Sequence, residues 1–129
     1  MDNYMILGIG VDTIEIDRFA LWHTYSRKKL ARIFSLEEID YCLQDKNKSA
    51  QRFAVRFAAR EALYKALSHT YPNKKIPFLT LCTDTTIIKI NGLPQIIIDE
   101  SIDTTHLTIH VSLSHSRTIA TAFVLIEKK

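Results

Sequence analysis

The stretch RFAVRFAAREALYKAL, Arg52 to Leu67, contains neither Gly nor Pro and repeats apolar residues at every helical spacing, so it predicts a helix. Winding it at the helical period sets Phe53, Phe57 and Tyr64 on one side, Ala59 and Leu63 on another, and Val55, Ala62 and Ala66 behind them. An apolar surface running nearly all the way round means a helix enclosed by its own chain or by a partner. Glu61 and Lys65 interrupt that surface. They stand i,i+4 with the acid first, an order that supports an ion pair of about 0.2 to 0.5 kcal/mol on an exposed helix. The surrounding alanines and phenylalanines imply partial desolvation, where an unpartnered charge is costly. That favours a pair facing a cation or an anion in a cleft.

At 129 residues and 47% hydrophobic composition, the chain suits one domain over residues 1–129. Such a domain buries roughly two-thirds of its unfolded surface. Met1-Asp2-Asn3-Tyr4 lacks the basic start of a secretory signal, and no apolar run approaches the ~18 residues of a membrane span. The expectation is a soluble cytoplasmic protein with no membrane partner. Cys42 and Cys82 have no CxxC spacing, so they read as reduced interior thiols rather than a disulfide or zinc site. Net charge is +3, unevenly spread: Arg18 to Lys65 holds 11 Lys/Arg against 5 Asp/Glu, and the remainder 6 against 9. Arg18, Arg27, Lys28, Lys29 and Arg32 form a basic cluster that suits phosphates, nucleic acid or an acidic protein, or is simply a solvated face.

Met5 to Ile16 is β-rich, and an extended run places Ile6, Gly8, Gly10, Asp12, Ile14 and Ile16 on one face. Asp12 is then an acid on an otherwise apolar or side-chain-free surface, unless it only forms a turn or cap at the strand end. Gly8-Ile9-Gly10 is not a dinucleotide loop, because Thr13 stands where the third glycine is needed. Asp17 is placed to cap a short helix through Tyr25, and Ser26 another that includes Leu30, Ile33 and Phe34. Ser35 with Glu38 forms a capping box, with Phe34 and Ile39 as hydrophobic staple, for a helix to about Leu43. After the polar loop QDKNKS the long helix runs to about Ser68, where Tyr71-Pro72-Asn73 stops it.

The remainder reads as β-rich. Thr86–Ile90 and Gln95–Ile98 flank the hairpin signal Asn91-Gly92, with Pro94 implying an edge strand or a longer loop. Leu107–Leu113 and Ile119–Ile126 alternate as two more strands, joined through Ser114-His115-Ser116-Arg117. His115, among Ser112, Ser114, Ser116 and Arg117, sits in a donor-rich corner that suits a phosphate or a turn satisfying its own backbone. His106 and His110 read as strand surface.

GIGVDTIEIDRF (8–19), RFAAREALYKAL (56–67) and HVSLSHSRTIATAFV (110–124) together resemble, in order and spacing, the holo-[acyl-carrier-protein] synthases, the short type of 4'-phosphopantetheinyl transferase. The resemblance implies an α+β fold with helices packed on an antiparallel sheet. It also implies a homotrimer with active sites between subunits. The implied activity is transfer of 4'-phosphopantetheine from coenzyme A to a serine of acyl carrier protein, with Mg2+ required, in support of fatty acid biosynthesis. By the same resemblance, Asp12 and Glu61 match the metal-binding acids, and Lys65 matches the lysine beside the leaving phosphate. Asp12, Glu61 and Lys65 are thus the catalytic set, with Glu61, directly or through a metal-bound water, the candidate for activating the carrier serine and Asp12 the alternative. Arg56, Phe57, Lys65 and His115 match coenzyme A contacts. Arg18 matches a residue that meets the acidic helix of the carrier, and Lys28 and Arg32 extend that surface.

This sequence departs from the family pattern twice. Arg60 stands where a Lys is usual, exchanging a point charge for a rigid fork. Leu93 occupies the Lys position of the common N-G-K-P turn. A small basic nucleic-acid-binding module is the competing reading, but neither RNP-like aromatics nor zinc-finger spacing supports it, so no nucleic-acid partner is expected.

Overall fold

The computed structural model describes residues 5–129; Met1–Tyr4, read above for the absence of a basic leader, lie outside them. In chain order the regular elements are β1 (Ile6–Glu15), α1 (Arg27–Leu30), α2 (Leu36–Leu43), α3 (Ser49–Thr70), α4 (Phe78–Thr83), β2 (Thr85–Ile90), β3 (Leu93–Ile98), β4 (Leu107–His115) and β5 (Ile119–Lys128). All pairing is antiparallel: one sheet has the order β1-β5-β4, and β2-β3 forms a separate hairpin. This is the expected α+β class.

The apolar girdle of α3 is used within the chain. Phe53, Ala54, Ala58, Ala59, Ala62, Leu63 and Ala66 are all fully buried, together with Ala120, Ala122, Val124 and Ile126 from the inward face of β5. β1 lies closest to the helix. A Cβ built on Gly10 would stand 1.9 Å from the carbonyl oxygen of Ala62, and one on Gly8 2.0 Å from that of Ala66. The Gly-x-Gly pair therefore clears space for helix backbone. The predicted face of β1 points at α3 from Gly8 onward. Ile6 departs from it, 58% exposed, because the pairing with β5 shifts between Ile6 and Gly8.

The capping box of α2 is present: Ser35 Oγ accepts from the Glu38 amide at 3.2 Å, and the Ser35 amide donates to Glu38 Oε1 at 3.0 Å. Asn91 (φ 53°) and Gly92 (φ 80°) make a two-residue hairpin turn with both residues left-handed, as a type I′ turn requires. β3 begins earlier than expected and includes Pro94 opposite Lys89. In a two-stranded ribbon each strand is an edge, so the missing N–H is tolerated.

Three local expectations are corrected. Asp17 caps nothing: it lies inside the 3-10 turn Ile16–Phe19, a second such turn covers Trp22–Thr24, and neither start carries a side-chain cap. Ser26 does cap, accepting from the Lys29 amide at 3.1 Å, but α1 ends at Leu30, before Ile33 and Phe34. Helix α4 falls where strand was expected. Its six residues follow Pro77 at the N-cap and bury Leu81 and Cys82, too short a span to show a helical period. Cys42 and Cys82 are free and buried, and burial pushes each thiol up to about 12, which keeps them inert. Among the described residues no helix is long and apolar enough to cross a membrane.

Candidate active site

The period-2 geometry of β1 aims Asp12 at α3, one step beyond the Gly10–Ala62 contact, where Glu61 and Lys65 emerge. Lys65 does not pair with Glu61. Its Nζ donates to the Val11 carbonyl at 2.9 Å and meets Asp12 Oδ1 at 3.4 Å, tying the helix to the strand. Glu61 makes no ion pair or hydrogen bond among the described residues. Burial, and then the neighbouring Asp12 carboxylate, push its pKa above the usual carboxylate range, while Lys65 and Arg18 pull it the other way. Two acids from elements far apart in sequence are thus crowded into one half-buried corner, with Lys65 and Arg18 as their cations. Glu61 is thus held beside a second carboxylate at a cost to its own ionisation, a strain that a cation placed between the two would relieve.

Arg56 and His115 meet elsewhere. They line a cleft of about 500 Å3 together with Lys48, Gln51, Arg52 and Lys89, which makes its charged lining wholly cationic. Arg52 stacks on the Tyr41 ring at 3.9 Å, and Arg56 lies 4.7 Å from the same ring. His115 Nε2 is 2.8 Å from the Gln51 amide nitrogen, and its Nδ1 is 3.3 Å from the Ser116 carbonyl oxygen. The turn itself is satisfied by Ser116, whose Oγ accepts from the amides of Thr118 and Ile119. Leu93 is 67% exposed on the hairpin, and Lys89, paired opposite Pro94, brings a cation to this cleft instead.

Phe57 belongs to a different wall. Its ring centroid lies 5.5 Å from that of Phe19, 6.1 Å from Trp22 and 5.9 Å from Phe78, an aromatic cluster on the Glu61 side of α3. At about 100° per residue, Arg56 and Lys65 stand about 180° apart around the helix. Within one chain the cationic cleft and the Asp12–Glu61–Lys65 corner therefore lie on opposite faces of α3.

Of the basic residues, Arg18, Lys28 and Arg32 are exposed. Arg27 is tied to Asp40 at 2.7 Å, and Lys29 sits 3.9 Å over the Tyr25 ring. Sequence reasoning missed the network behind the site. Arg60 is wholly buried, with Nη2 on Glu38 Oε1 at 2.5 Å and Nη1 on Oε2 at 2.9 Å. Its Nε also donates to the Cys82 carbonyl and Nη2 to that of Thr85. The preference for a fork over a Lys at this position was the available signal.

The sequence profile of the 4'-phosphopantetheinyl transferase superfamily matches residues 8–124. Holo-[acyl-carrier-protein] synthase of Treponema denticola is 35% identical over 126 residues, covering 95% of this chain and 99% of that protein. The enzyme of the same description from Ehrlichia ruminantium is 38% identical over 133 residues, covering 97% and 99%. The crystal structure of a holo-(acyl-carrier-protein) synthase from Bacillus anthracis in complex with CoA (3',5'-ADP) superposes with a TM-score of 0.77 at 30% identity, over 97% of this chain and 99% of that one. This chain belongs to the holo-[acyl-carrier-protein] synthase family of that superfamily.

Proposed function

We propose that the chain transfers the 4'-phosphopantetheine arm of coenzyme A to a serine of an apo-acyl carrier protein, releasing adenosine 3',5'-bisphosphate, in support of fatty acid biosynthesis. The observation that carries this reading is the meeting of Asp12 and Glu61 beside Lys65. The donor set fits Mg2+: Asp12 and Glu61 are hard carboxylates that would hold it, Glu61 having no protein partner among the described residues, and water and pyrophosphate oxygens would supply the remaining ligands. Bound there, Mg2+ would neutralise charge on the pyrophosphate. Glu61 accepts the serine proton, directly or through a bound water. The serine oxygen then bonds to the phosphorus that carries pantetheine, and the bond from that phosphorus to the bridging oxygen breaks. The Lys65 ammonium stabilises the charge that builds on the departing phosphate. The test is incubation with coenzyme A, Mg2+ and apo-carrier, followed by intact mass of the carrier. Gain of one phosphopantetheine arm is expected, and no gain overturns the reading.

Arg56 and Lys65 serve the coenzyme A phosphates on this reading, with His115 shaping the cationic cleft and Phe57 the wall beside Glu61. Because Arg56 and Lys65 face opposite sides of α3, one coenzyme A reaches both only if a second copy supplies one of them. A homotrimer would supply that second copy. The outward face of the three-stranded sheet offers the surface, with Ile9 43%, Val11 51% and Phe123 39% exposed. Light scattering should give a trimer mass, and an active preparation of monomer mass would sink the shared site.

Arg18 flanks the same corner and is exposed, with Lys28 and Arg32 on the basic segment that follows, so the three form the docking face for an acidic carrier. Arg18→Glu should raise the KM for carrier about tenfold or more and leave that for coenzyme A far less changed, with the defect deepening as salt is lowered. Equal effects on both substrates would remove Arg18 from the docking face.

A further inference from the structure

The Gln51 side chain occupies one ring nitrogen of His115, and the Ser116 carbonyl faces the other. We infer that Gln51 is a positioning residue, one that fixes the tautomer and ring plane of His115 so that the imidazole stands as a fixed wall of the cationic cleft against which the substrate seats. This rests on the reading of His115 as a coenzyme A contact.

The Nδ1–H tautomer satisfies both contacts at once: Nδ1–H donates to the Ser116 carbonyl, and Nε2 accepts from the Gln51 amide at 2.8 Å. The other neutral tautomer would set the Nδ1 lone pair against a carbonyl oxygen. Gln51 sits in the first turns of α3 and His115 at the end of β4, so the bond spans the cleft floor between the two elements. The imidazole also lines a second cavity of about 360 Å3 on its other side, with Asn47, Ser116 and Arg117. A ring with open space on two sides and no pin would rotate, and a ligand would have to halt that rotation on binding. Held at both nitrogens, it loses less side-chain entropy when the substrate arrives. Among the described residues no carboxylate lines either cavity, so the neutral amide supplies the pin without adding an anion to a phosphate site.

The test is a double-mutant cycle on Gln51→Met and His115→Ala, with transfer kinetics and imidazole 15N shifts read on the full-length protein. Met keeps helix propensity and side-chain length while removing the hydrogen bond. Gln51→Met should raise the KM for coenzyme A about fivefold, the size of one ordinary hydrogen bond, with kcat within about twofold of wild type. Its 15N spectrum should show His115 exchanging between tautomers where the wild type shows one. In the His115→Ala background the Gln51 effect should vanish, because Gln51 acts only through that ring. Two results overturn the assignment while leaving His115 in place: a single tautomer in Gln51→Met, or a Gln51 effect that adds fully to that of His115→Ala. A wild-type KM in His115→Ala removes the coenzyme A contact itself, and the positioning role falls with it.

Discussion

Glu61→Gln and Asp12→Asn should each lower the turnover of phosphopantetheine transfer by about 100-fold or more while leaving the fold intact. Each removes one of the two carboxylates that crowd the corner between β1 and α3, and neither replacement amide can carry the charge that holds a divalent cation. The double variant should cost little more than either single one, because one missing donor already disables what both share. A readout independent of activity separates this from a structural effect. Mg2+ should raise the Tm of the wild type by preferential binding to the folded chain, and should leave the Tm of both variants unchanged. Lys65→Ala should behave differently, keeping the Mg2+ shift while lowering kcat, since its ammonium matters most as the leaving phosphate gains charge.

The stability of Glu61→Gln sharpens the test. Burial, then Asp12, raises the proton affinity of Glu61 in the folded chain, so the native state holds more protons than the unfolded one between the ordinary carboxylate pKa and the raised one. Stability contributed by this group therefore falls as pH rises through that window, and above it the ionised Glu61 is a net burden on the fold. A neutral Gln lifts that burden. Without Mg2+ the variant should melt at or above the wild-type temperature at neutral pH, and it should be nearly inactive in the Mg2+ assay. Near-wild-type turnover in folded Glu61→Gln would return the pair to an ordinary surface feature and remove the centre of the functional assignment.

What was legible in the sequence was what obeys a local period. The helix from Arg52 to Leu67 and the shared face of Gly8, Gly10, Asp12 and Ile14 both follow from spacing, and the placement of Asp12 toward the helix follows from them. The contact that sets their registration was not legible. Gly8 and Gly10 announce themselves as a motif, but their purpose is the closeness of the Ala66 and Ala62 carbonyls, more than 50 positions away. The i,i+4 rule suggested Glu61 as the partner of Lys65. In the fold the lysine reaches across to Val11 and Asp12 instead, and Glu61 has no hydrogen-bond or ion-pair partner among the described residues. Gln51 carried no signal because its meaning lies in a ring 64 positions further on. Arg56 and Lys65 read as one site from sequence, yet nine residues of α-helix put them on opposite faces. That is the strongest geometric reason to expect a second copy.

Arg60→Met should destabilise the fold by about 3 to 5 kcal/mol, since it leaves the Glu38 carboxylate buried without its cation. Glu38 and Arg60 are 2% and 0% exposed, so water screens neither. The residual partner is poor: Arg56 Nε lies 3.8 Å from Glu38 Oε2 and makes no hydrogen bond of its own. The Cys82 and Thr85 carbonyls lose their donors as well, at about 1 to 3 kcal/mol for each one left unsatisfied. Arg60→Lys should fall between wild type and Met, because a single ammonium cannot serve two carboxylate oxygens and two carbonyls held by α4 and β2 at once. Arg60→Met combined with Glu38→Leu should recover part of the loss, since no unpaired charge then stays inside. Recovery should be incomplete, because Glu38 also closes the capping box of α2. Urea unfolding measures all four proteins, with a shift in midpoint at constant slope as the expected form. A loss below about 1 kcal/mol in Arg60→Met would mean that the fork is dispensable. Arg60 and Glu61 are neighbours in sequence, yet helix geometry turns one into the interior and the other toward the corner with Asp12. Removing the first should therefore cost stability with turnover per folded molecule largely kept, and removing the second should cost turnover with stability kept.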